Sequence, residues 1–436
     1  MADQQATLKA AVYTLGCRLN QSESSIMEKG LEKQGYEIVD FKEQSNLAII
    51  NTCTVTAKAD SDCRNVIRGY VKRNPEAFVA VVGCYSQMGY KALSAIEGID
   101  LIVGNQDKLD VLNYLQLGKN DTPLIIRDRF LRDDFSIENI GQADSKTRAN
   151  LKVQDGCDFM CTFCIIPMAR GRARSRDLQN LLAEAKQLAE QGFKEVILTG
   201  VNVGTYQNSE RDVLGLVEEL NSIDGIERIR ISSIEPTTIP EKLFEYMADP
   251  EHKLVPYLHI PLQSGSDTVL EIMKRKYSAK EYLDFINMAA ERVPGICIGT
   301  DVMVGMAGEG DEEFDETCQL LINSPINYFH VFTFSEREGT PAVKMDNKNE
   351  KVVKKRRNAV LRKVSERKRQ EFYEQYIGQE LDVLFETYKD GYWSGYTENF
   401  IRVAVTSGSQ LENTIQTVKL TELAADFVIG ELVSKK

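Results

Sequence analysis

The chain has 436 residues, of which 42% are hydrophobic and 27% charged; that is enough for two or three domains with sizeable cores and excludes a largely disordered chain. Its 53 Lys and Arg against 65 Asp and Glu give a formal net charge of −12, which argues against non-specific coating of nucleic acid but leaves room for a local basic surface. No apolar run approaches the ~20 residues of a membrane-spanning helix, and "MADQQATLKA" lacks the apolar core of a signal peptide, so a cytoplasmic protein with no membrane partner is expected.

The first third alternates short apolar runs with amphipathic helices: "KAAVYTLGC", "NQSESSIMEKGLEKQG", "LAIINTC", "RNVIRGYVKRN" and "AFVAVVGC". That alternation predicts parallel strands joined by right-handed crossovers, a doubly wound α/β domain over residues 8–120. Cys17, Cys53 and Cys84 each close one of its predicted strands. Ligand sites in open parallel sheets gather outside the carboxyl ends of the strands, so neighbouring strands would bring the three sulfurs to one edge. Burial as a small apolar residue is the commonest fate of a single intracellular cysteine, but repetition in successive units speaks for a shared site.

After a polar connection near "GQADSKTRANL" come six strand candidates: "LKVQDG", "EVILTG", "RIRISSIEP", "PYLHIPLQ", "CIGTDVMVG" and "YFHVFTF". With helices such as "DLQNLLAEAKQLAEQG" between them, they predict a partial (β/α)6 barrel whose chemistry sits at the carboxyl ends of its strands. This second domain, residues 143–370, ends in a basic helix with ten Lys/Arg against a single Glu between Lys351 and Arg369. Such a run is either a solvated face or a contact for nucleic acid. Residues 374–436 carry short alternating runs such as "QELDVLFET" and "YWSGYTENFIRVAV", which predict a small all-β barrel, an architecture that often binds oligonucleotides.

Nine cysteines in a large chain without a signal peptide read as thiolate ligands, nucleophiles or buried apolar groups rather than disulfides. In "QDGCDFMCTFCIIP", Cys157, Cys161 and Cys164 follow the pattern CxxxCxxC. Zinc sites usually need a second ligand pair, yet no further CxxC or His pair follows, and the three histidines His252, His259 and His330 are scattered. An iron–sulfur cubane suits three soft sulfurs better, and it leaves one iron open to a cofactor or substrate.

"GCDFMCTFC", with Phe163 before the third cysteine, resembles the signature of the radical S-adenosylmethionine (SAM) superfamily. Across nearly the whole chain, "TLGCRLNQSE", "NTCTVT", "GCDFMCTFCIIPMARGRARSR", "LTGVNVG", "SSIEP", "LHIPLQSGSDTVLEIMKRKY" and "DVMVG" are similar to the methylthiotransferase family, whose last module is the RNA-binding TRAM domain. "YTLGCRLNQSE" and "NTCTVTAKAD" look most like its MtaB subgroup. The resemblance implies a [4Fe-4S] cluster on Cys157, Cys161 and Cys164 that binds SAM, and an auxiliary [4Fe-4S] cluster on Cys17, Cys53 and Cys84. It implies two SAM per turnover. One would give its methyl group to a sulfur at the auxiliary cluster, and the other would give a radical that abstracts hydrogen from carbon-2 of N6-threonylcarbamoyladenosine beside the anticodon of tRNA. Isopentenyladenosine in tRNA or a ribosomal protein is the alternative substrate. A non-enzymatic iron–sulfur RNA-binding protein is the reading from another class. Implied partners are the tRNA anticodon stem-loop, an electron donor such as flavodoxin or ferredoxin, and a sulfur source.

By the same resemblance Phe163, Thr199, Gly200, Asn202, Ser233, Glu235, His259 and Gln263 are candidates to meet SAM, although each could equally be a structural cap or a satisfied core polar group. Arg170, Arg172, Arg174 and Arg176 alternate along "ARGRARSR", as an extended segment would need to offer guanidiniums to a phosphate or to the carboxylate of a threonylcarbamoyl group; a solvated, ion-paired loop is the plainer alternative. Met306 and Ala307 stand where the family commonly has Phe-Pro, which predicts a less rigid turn. Cys63, Cys297 and Cys318 match no motif and read as packing residues.

Overall fold

The structure, a computed structural model, describes residues 8–117, 119–138 and 147–433. The expected domain boundary at residue 143, most of the polar connection before it, and residues 434–436 of the C-terminal domain lie outside the described residues. No described helix is long and apolar enough to cross a membrane.

The N-terminal sheet has six parallel strands in the order Glu37–Ile38, Lys9–Thr14, Leu47–Thr52, Phe78–Gly83, Leu101–Val103, Leu124–Ile126. Leu47–Thr52 is buried along its whole length, because helices cover both faces, so its sequence is a continuous apolar run rather than an alternation. Ile67 and Tyr70 of helix Ala57–Arg73 pack on Ala48 and Ile50 of one face. Met27 and Leu31 of helix Arg18–Lys33 pack on Leu47 and Ile49 of the other. The chain order reverses beside Lys9–Thr14, and at such a switch point the carboxyl ends of neighbouring strands open a crevice.

The central strands form two three-stranded parallel sheets, Arg148–Lys152, Glu195–Thr199 and Arg228–Ile231, then Tyr257–His259, Cys297–Val304 and Tyr328–Thr333. A parallel bridge between Ile229 and Leu254 joins them into a six-stranded partial barrel. The N-terminal domain spans the side that these strands leave open. On the first strand's side, Ser22 Oγ donates to the Asn150 carbonyl at 3.0 Å. Beyond the last strand, Arg337 Nη2 donates to Thr54 Oγ1 at 2.8 Å and Ser335 Oγ accepts from Ala57 N at 3.0 Å.

This docking explains why the polar run Asn20, Ser22, Glu23, Ser24 and Ser25 is buried on helix Arg18–Lys33. Glu23 accepts from Lys108 on its own domain, and from Lys152 (2.8 Å) and Arg170 (3.0 and 3.1 Å) on the barrel. Asp155 pairs with Lys152 and Arg170, each at 2.8 Å, and Asn20 Oδ1 accepts from Arg170 at 2.6 Å. No charged side chain of the group is more than 4% exposed. Burial alone would raise the Glu23 carboxyl, but Arg170, Lys108 and Lys152 hold it well below the usual carboxylate range.

The C-terminal strands Glu380–Lys389, Tyr392–Thr397, Arg402–Val405, Val428–Leu432 and Ile415–Leu423 close into a barrel in that order. Ile229 and Ile231 of the central barrel belong to its own core, while the alternate residues Arg228 and Arg230 hold the C-terminal barrel. Arg228 donates to the carbonyls of Tyr396 (3.1 Å) and Asp382 (2.9 Å), and Arg230 to that of Glu398 (2.9 Å). Glu195 takes two hydrogen bonds from Arg230, at 2.6 and 3.1 Å. The basic helix Lys351–Glu374 leads into this domain and buries Phe372 and Tyr373 in its core.

Glu23→Gln would leave Lys108, Lys152 and Arg170 opposed only by Asp155, and a loss of about 3–5 kcal/mol is expected because a broken buried ion pair leaves uncompensated charge. Urea denaturation checks this, and an unchanged midpoint would refute it. For Glu195, burial raises the carboxyl but Arg230 outweighs it and brings it from 4.5 down to about 2. A depressed carboxyl stabilises the fold fully above the unfolded value and progressively less as protons bind. The contribution, of order 3 kcal/mol, is therefore present above about pH 4.5 and lost as pH falls toward about 2. Iron-free Glu195→Gln should show a flatter pH dependence of stability than wild type between pH 5 and 3.

Candidate functional site

Cys53 and Cys84 follow directly on Leu47–Thr52 and Phe78–Gly83, and Cys17 follows Lys9–Thr14 after Leu15 and Gly16; the three strands are adjacent in the sheet. Gly16 has φ +106°, and a Cβ there would lie 2.8 Å from Cys53 Cβ and 3.0 Å from its Sγ, so only glycine lets the first loop approach the second. Cys17 caps helix Arg18–Lys33, and Cys84 opens helix Cys84–Ser94 behind Gly83 at φ +100°. Both residues thus sit at helix N-termini. Asn105 Nδ2 donates to Cys84 Sγ at 3.3 Å. Burial pushes the Cys53 thiol up to about 12, with Cys84 and Cys17 close enough to add to the rise.

Cys157, Cys161 and Cys164 lie in the loop after the first barrel strand and its extension Gln154–Asp155. Gly156, at φ +74°, would place a Cβ 2.0 Å from the Arg172 carbonyl oxygen. The loop is pinned by hydrogen bonds from Cys157 N to Gly171 O (3.1 Å), Thr162 N to Met273 O (3.1 Å) and Thr162 Oγ1 to Ile272 O (2.8 Å). Phe159 N and Arg275 Nη1 each donate at 3.4 Å, to Cys157 Sγ and Cys161 Sγ respectively. Burial raises the Cys157 thiol to about 11 and the Cys164 thiol to about 12. Among the described residues no group of three or more His, Cys, Asp or Glu closes tightly enough around one point to hold a single metal ion. A cubane makes a different demand, since each of its thiolates binds a different iron. Two all-cysteine trios with donors aimed at their sulfurs fit that demand.

One cavity of about 1000 Å³ joins the three domains. Cys17, Arg18 and Cys53 line it from the parallel sheet, Phe163 and Cys164 from the barrel loop, and Arg369, Tyr396 and Phe400 from the C-terminal elements. Gly200, Ser233, Glu235, His259 and Gln263 of the anticipated SAM set also line it. His259 Nε2 lies 3.1 Å from Asp301 Oδ1. Gln263 and Phe400 hold left-handed backbone at φ 69° and 66°, uncommon for side chains of that size and found where a site constrains the chain. Thr199 and Asn202 are buried and do not line the cavity. Asn202 Oδ1 accepts from Glu235 N and Thr238 Oγ1, each at 3.1 Å, while Asn202 Nδ2 and Thr199 Oγ1 have no partner among the described residues.

The arginine run departs from the expected row of phosphate-facing guanidiniums. Ile166–Arg170 is helical, and Arg174–Ser175 pairs with Gln154–Asp155, so the segment turns inward toward buried carboxylates. Arg170 belongs to the Glu23 group, Arg174 Nη1 donates to Gln106 Oε1 at 3.0 Å, and Arg176 is fully buried against Glu184 and Asn180. Arg172 alone is exposed, at 53%, beside Asp158. Cys63 and Cys297 sit in hydrophobic cores and Cys318 packs against one. Met306 and Ala307 are buried, and the turn is secured without proline: Glu309 N donates to Met306 O at 3.1 Å and Glu309 Oε1 accepts from Gly305 N at 2.8 Å.

Sequence reading missed Arg275, which bonds Glu235 and Tyr277 besides Cys161 Sγ. It lies in "MKRKY", a segment of the family resemblance to which no role was attached. Asn105 was detectable in principle, because it follows the strand Leu101–Val103 at nearly the same strand-end position as the cysteines. Arg18 and Arg369 gave no signal, since one is masked by its neighbour Cys17 and the other by nine further cations of its helix.

The radical SAM superfamily profile matches residues 151–321, and that of Uncharacterized protein family UPF0004 matches residues 9–104. The chain is 36% identical over 433 residues to the threonylcarbamoyladenosine tRNA methylthiotransferase MtaB of Bacillus subtilis (strain 168), covering 97% of this chain and 96% of that protein. Its identity to the protein of the same name from Aquifex aeolicus (strain VF5) is 38%, covering 91% and 100%. The tRNA-2-methylthio-N(6)-dimethylallyladenosine synthase of Geobacillus thermodenitrificans (strain NG80-2) is 32% identical, covering 98% and 84%. The radical SAM methyltransferase TsrM from Kitasatospora setae shares the fold, with a TM-score of 0.56 at 14% identity over 77% of each chain. With the cysteine-bearing parallel sheet and the partial barrel both matched, and relatives alike from end to end, the chain is an enzyme of the radical SAM methylthiotransferase family.

Proposed function

We propose that this enzyme installs a methylthio group on carbon-2 of N6-threonylcarbamoyladenosine beside the anticodon of tRNA, with one [4Fe-4S] cluster held by Cys157, Cys161 and Cys164 and a second by Cys17, Cys53 and Cys84. The observation that carries this reading is the single cavity onto which both trios open, Cys164 from one side and Cys17 and Cys53 from the other. Relatives named for threonylcarbamoyladenosine support the substrate. Those named for dimethylallyladenosine supply the alternative.

When bound, the clusters and two SAM supply the methyl group and the one-electron chemistry. The chain's own part is to hold and orient. Arg275 and the Phe159 amide donate to two sulfurs of the barrel trio, and Asn105 to one of the sheet trio, restraining thiols that would otherwise be free to rotate. Gly200, Ser233 and Glu235, which line the cavity, offer polar groups to a ligand such as SAM beside the barrel loop. Phe163 and Phe332 present apolar surface to the cavity, where a base can be held out of water. Lys355, Arg356, Arg362, Lys363 and Arg367 are exposed on the basic helix, a local positive face for the anticodon stem-loop on a chain of net charge −12. A flavodoxin or ferredoxin as electron donor and a separate sulfur source complete the scheme.

Anaerobic reconstitution should give about eight irons per chain, four for each cubane. Cys157→Ala should abolish reductive SAM cleavage, and retained cleavage would refute the assignment of the barrel trio. Cys53→Ala should keep cleavage and lose methylthiolation. Nucleoside mass spectrometry of tRNA from cells lacking and then regaining the gene should show the 2-methylthio derivative of threonylcarbamoyladenosine appear with the gene; appearance of the dimethylallyl product instead selects the alternative.

A further inference from the structure

The charges that face the cavity do not balance. Its acidic lining residues are Glu235, Asp301 and Asp426, and each has a cationic partner or one that can become so: Arg275 for Glu235, His259 at 3.1 Å for Asp301, and Arg402 at 3.2 Å for Asp426. Of the four lining arginines, Arg170 is neutralised in the Glu23 group and Arg402 by Asp426. Arg18 and Arg369 form no ion pair among the described residues, and Arg18 Nη1 and Arg369 Nε are buried without any hydrogen-bond partner. Buried unmatched donors are costly, and an anion entering the cavity would offer both guanidiniums an acceptor.

The two arginines come from different domains and line the same cavity. Arg18 opens the first helix beside Cys17, with its guanidinium carbon 6.0 Å from the Phe400 ring centroid. Arg369 lies near the end of the basic helix, one turn before Phe372 and Tyr373. Both act on His330, which lines the same cavity from strand Tyr328–Thr333; enclosure by the cavity walls lowers its pKa, and His259, Arg18 and Arg369 add to that lowering while Asp301 opposes it.

We propose that Arg18 and Arg369 form an anion subsite that receives the carboxylate of the substituent on the substrate nucleotide, and so set specificity for it. The inference rests on the substrate reading above. A planar carboxylate suits the fork of a guanidinium. An uncharged, branched apolar substituent would leave both arginines unmatched and be disfavoured for that reason. The role that the alternating arginines of residues 170–176 offered in sequence thus passes to two arginines far apart in the chain.

The test uses reconstituted holoenzyme and synthetic anticodon stem-loops that carry threonylcarbamoyladenosine or its uncharged carboxamide analogue, compared by fluorescence anisotropy. Wild type should prefer the carboxylate RNA by roughly tenfold or more, the scale of one charge-assisted hydrogen bond. Arg369→Gln should bring the two affinities within about twofold while leaving carboxamide binding unchanged, and Arg369→Lys should recover part of the preference. Iron content and circular dichroism at wild-type values establish that the variant is folded. If Arg369→Gln weakens both RNAs equally, the guanidinium meets a backbone phosphate and the proposal is overturned; an undiminished preference overturns it as well. A nucleoside mass spectrum showing only the dimethylallyl product removes the substrate reading and this inference with it, whereas the threonylcarbamoyl product with an undiminished preference removes the inference alone.

Discussion

The buried group of Glu23, Asp155, Lys108, Lys152 and Arg170 is the constraint on which the rest of the arrangement depends. Glu23 lies on the helix that Cys17 caps, and Asp155 lies two residues before Cys157. Each trio is therefore tied by a short, stiff stretch of chain to the same knot of charges. Charges in a dry interior tolerate little displacement, because a carboxylate moved from its partners is left unsolvated. A hydrophobic interface would hold the domains together but allow them to slide. A five-membered ionic group fixes their register.

That register gives the cavity its chemistry. Elements with separate hydrophobic cores contribute to one wall, so no single domain contains the site. The sulfurs stand at strand ends, where loops can differ without disturbing the sheets beneath, and glycines at positions 16, 83 and 156 let those loops approach more closely than any side chain would permit. Burial opposes ionisation at Cys53, Cys157 and Cys164. A thiolate at these positions therefore requires a positive partner, and iron is the partner that two all-cysteine trios suit.

Much of this was legible in the sequence, for identifiable reasons. Continuous apolar runs such as "LAIINTC" reveal a strand covered on both faces, and a cysteine at the end of three such runs reveals a shared edge. The family was legible from "GCDFMCTFC" and the segments around it. What could not be read was pairing across domains. Alternation in "ARGRARSR" is a local pattern, and it cannot show that Glu23, more than a hundred residues earlier, waits for Arg170. Arg18 and Arg369 stand out only through forming no ion pair among the described residues, a property of the assembled walls.

A closed barrel has no free edge strand, and the C-terminal domain therefore has no open ladder with which to recruit a partner. Among the described residues it reaches the cavity through Tyr396, Phe400, Arg402 and Asp426. Part of its attachment to the central barrel is main-chain, the carbonyls of Asp382, Tyr396 and Glu398 accepting from Arg228 and Arg230, and part is side-chain, Glu386 pairing with Arg148 and Asn413 donating to the Gly192 carbonyl. A carbonyl is present whatever side chain its residue carries. The main-chain part of the attachment is indifferent to the side chains at positions 382, 396 and 398, so Tyr396 can be exchanged at the cavity wall without losing the carbonyl that helps seat the domain.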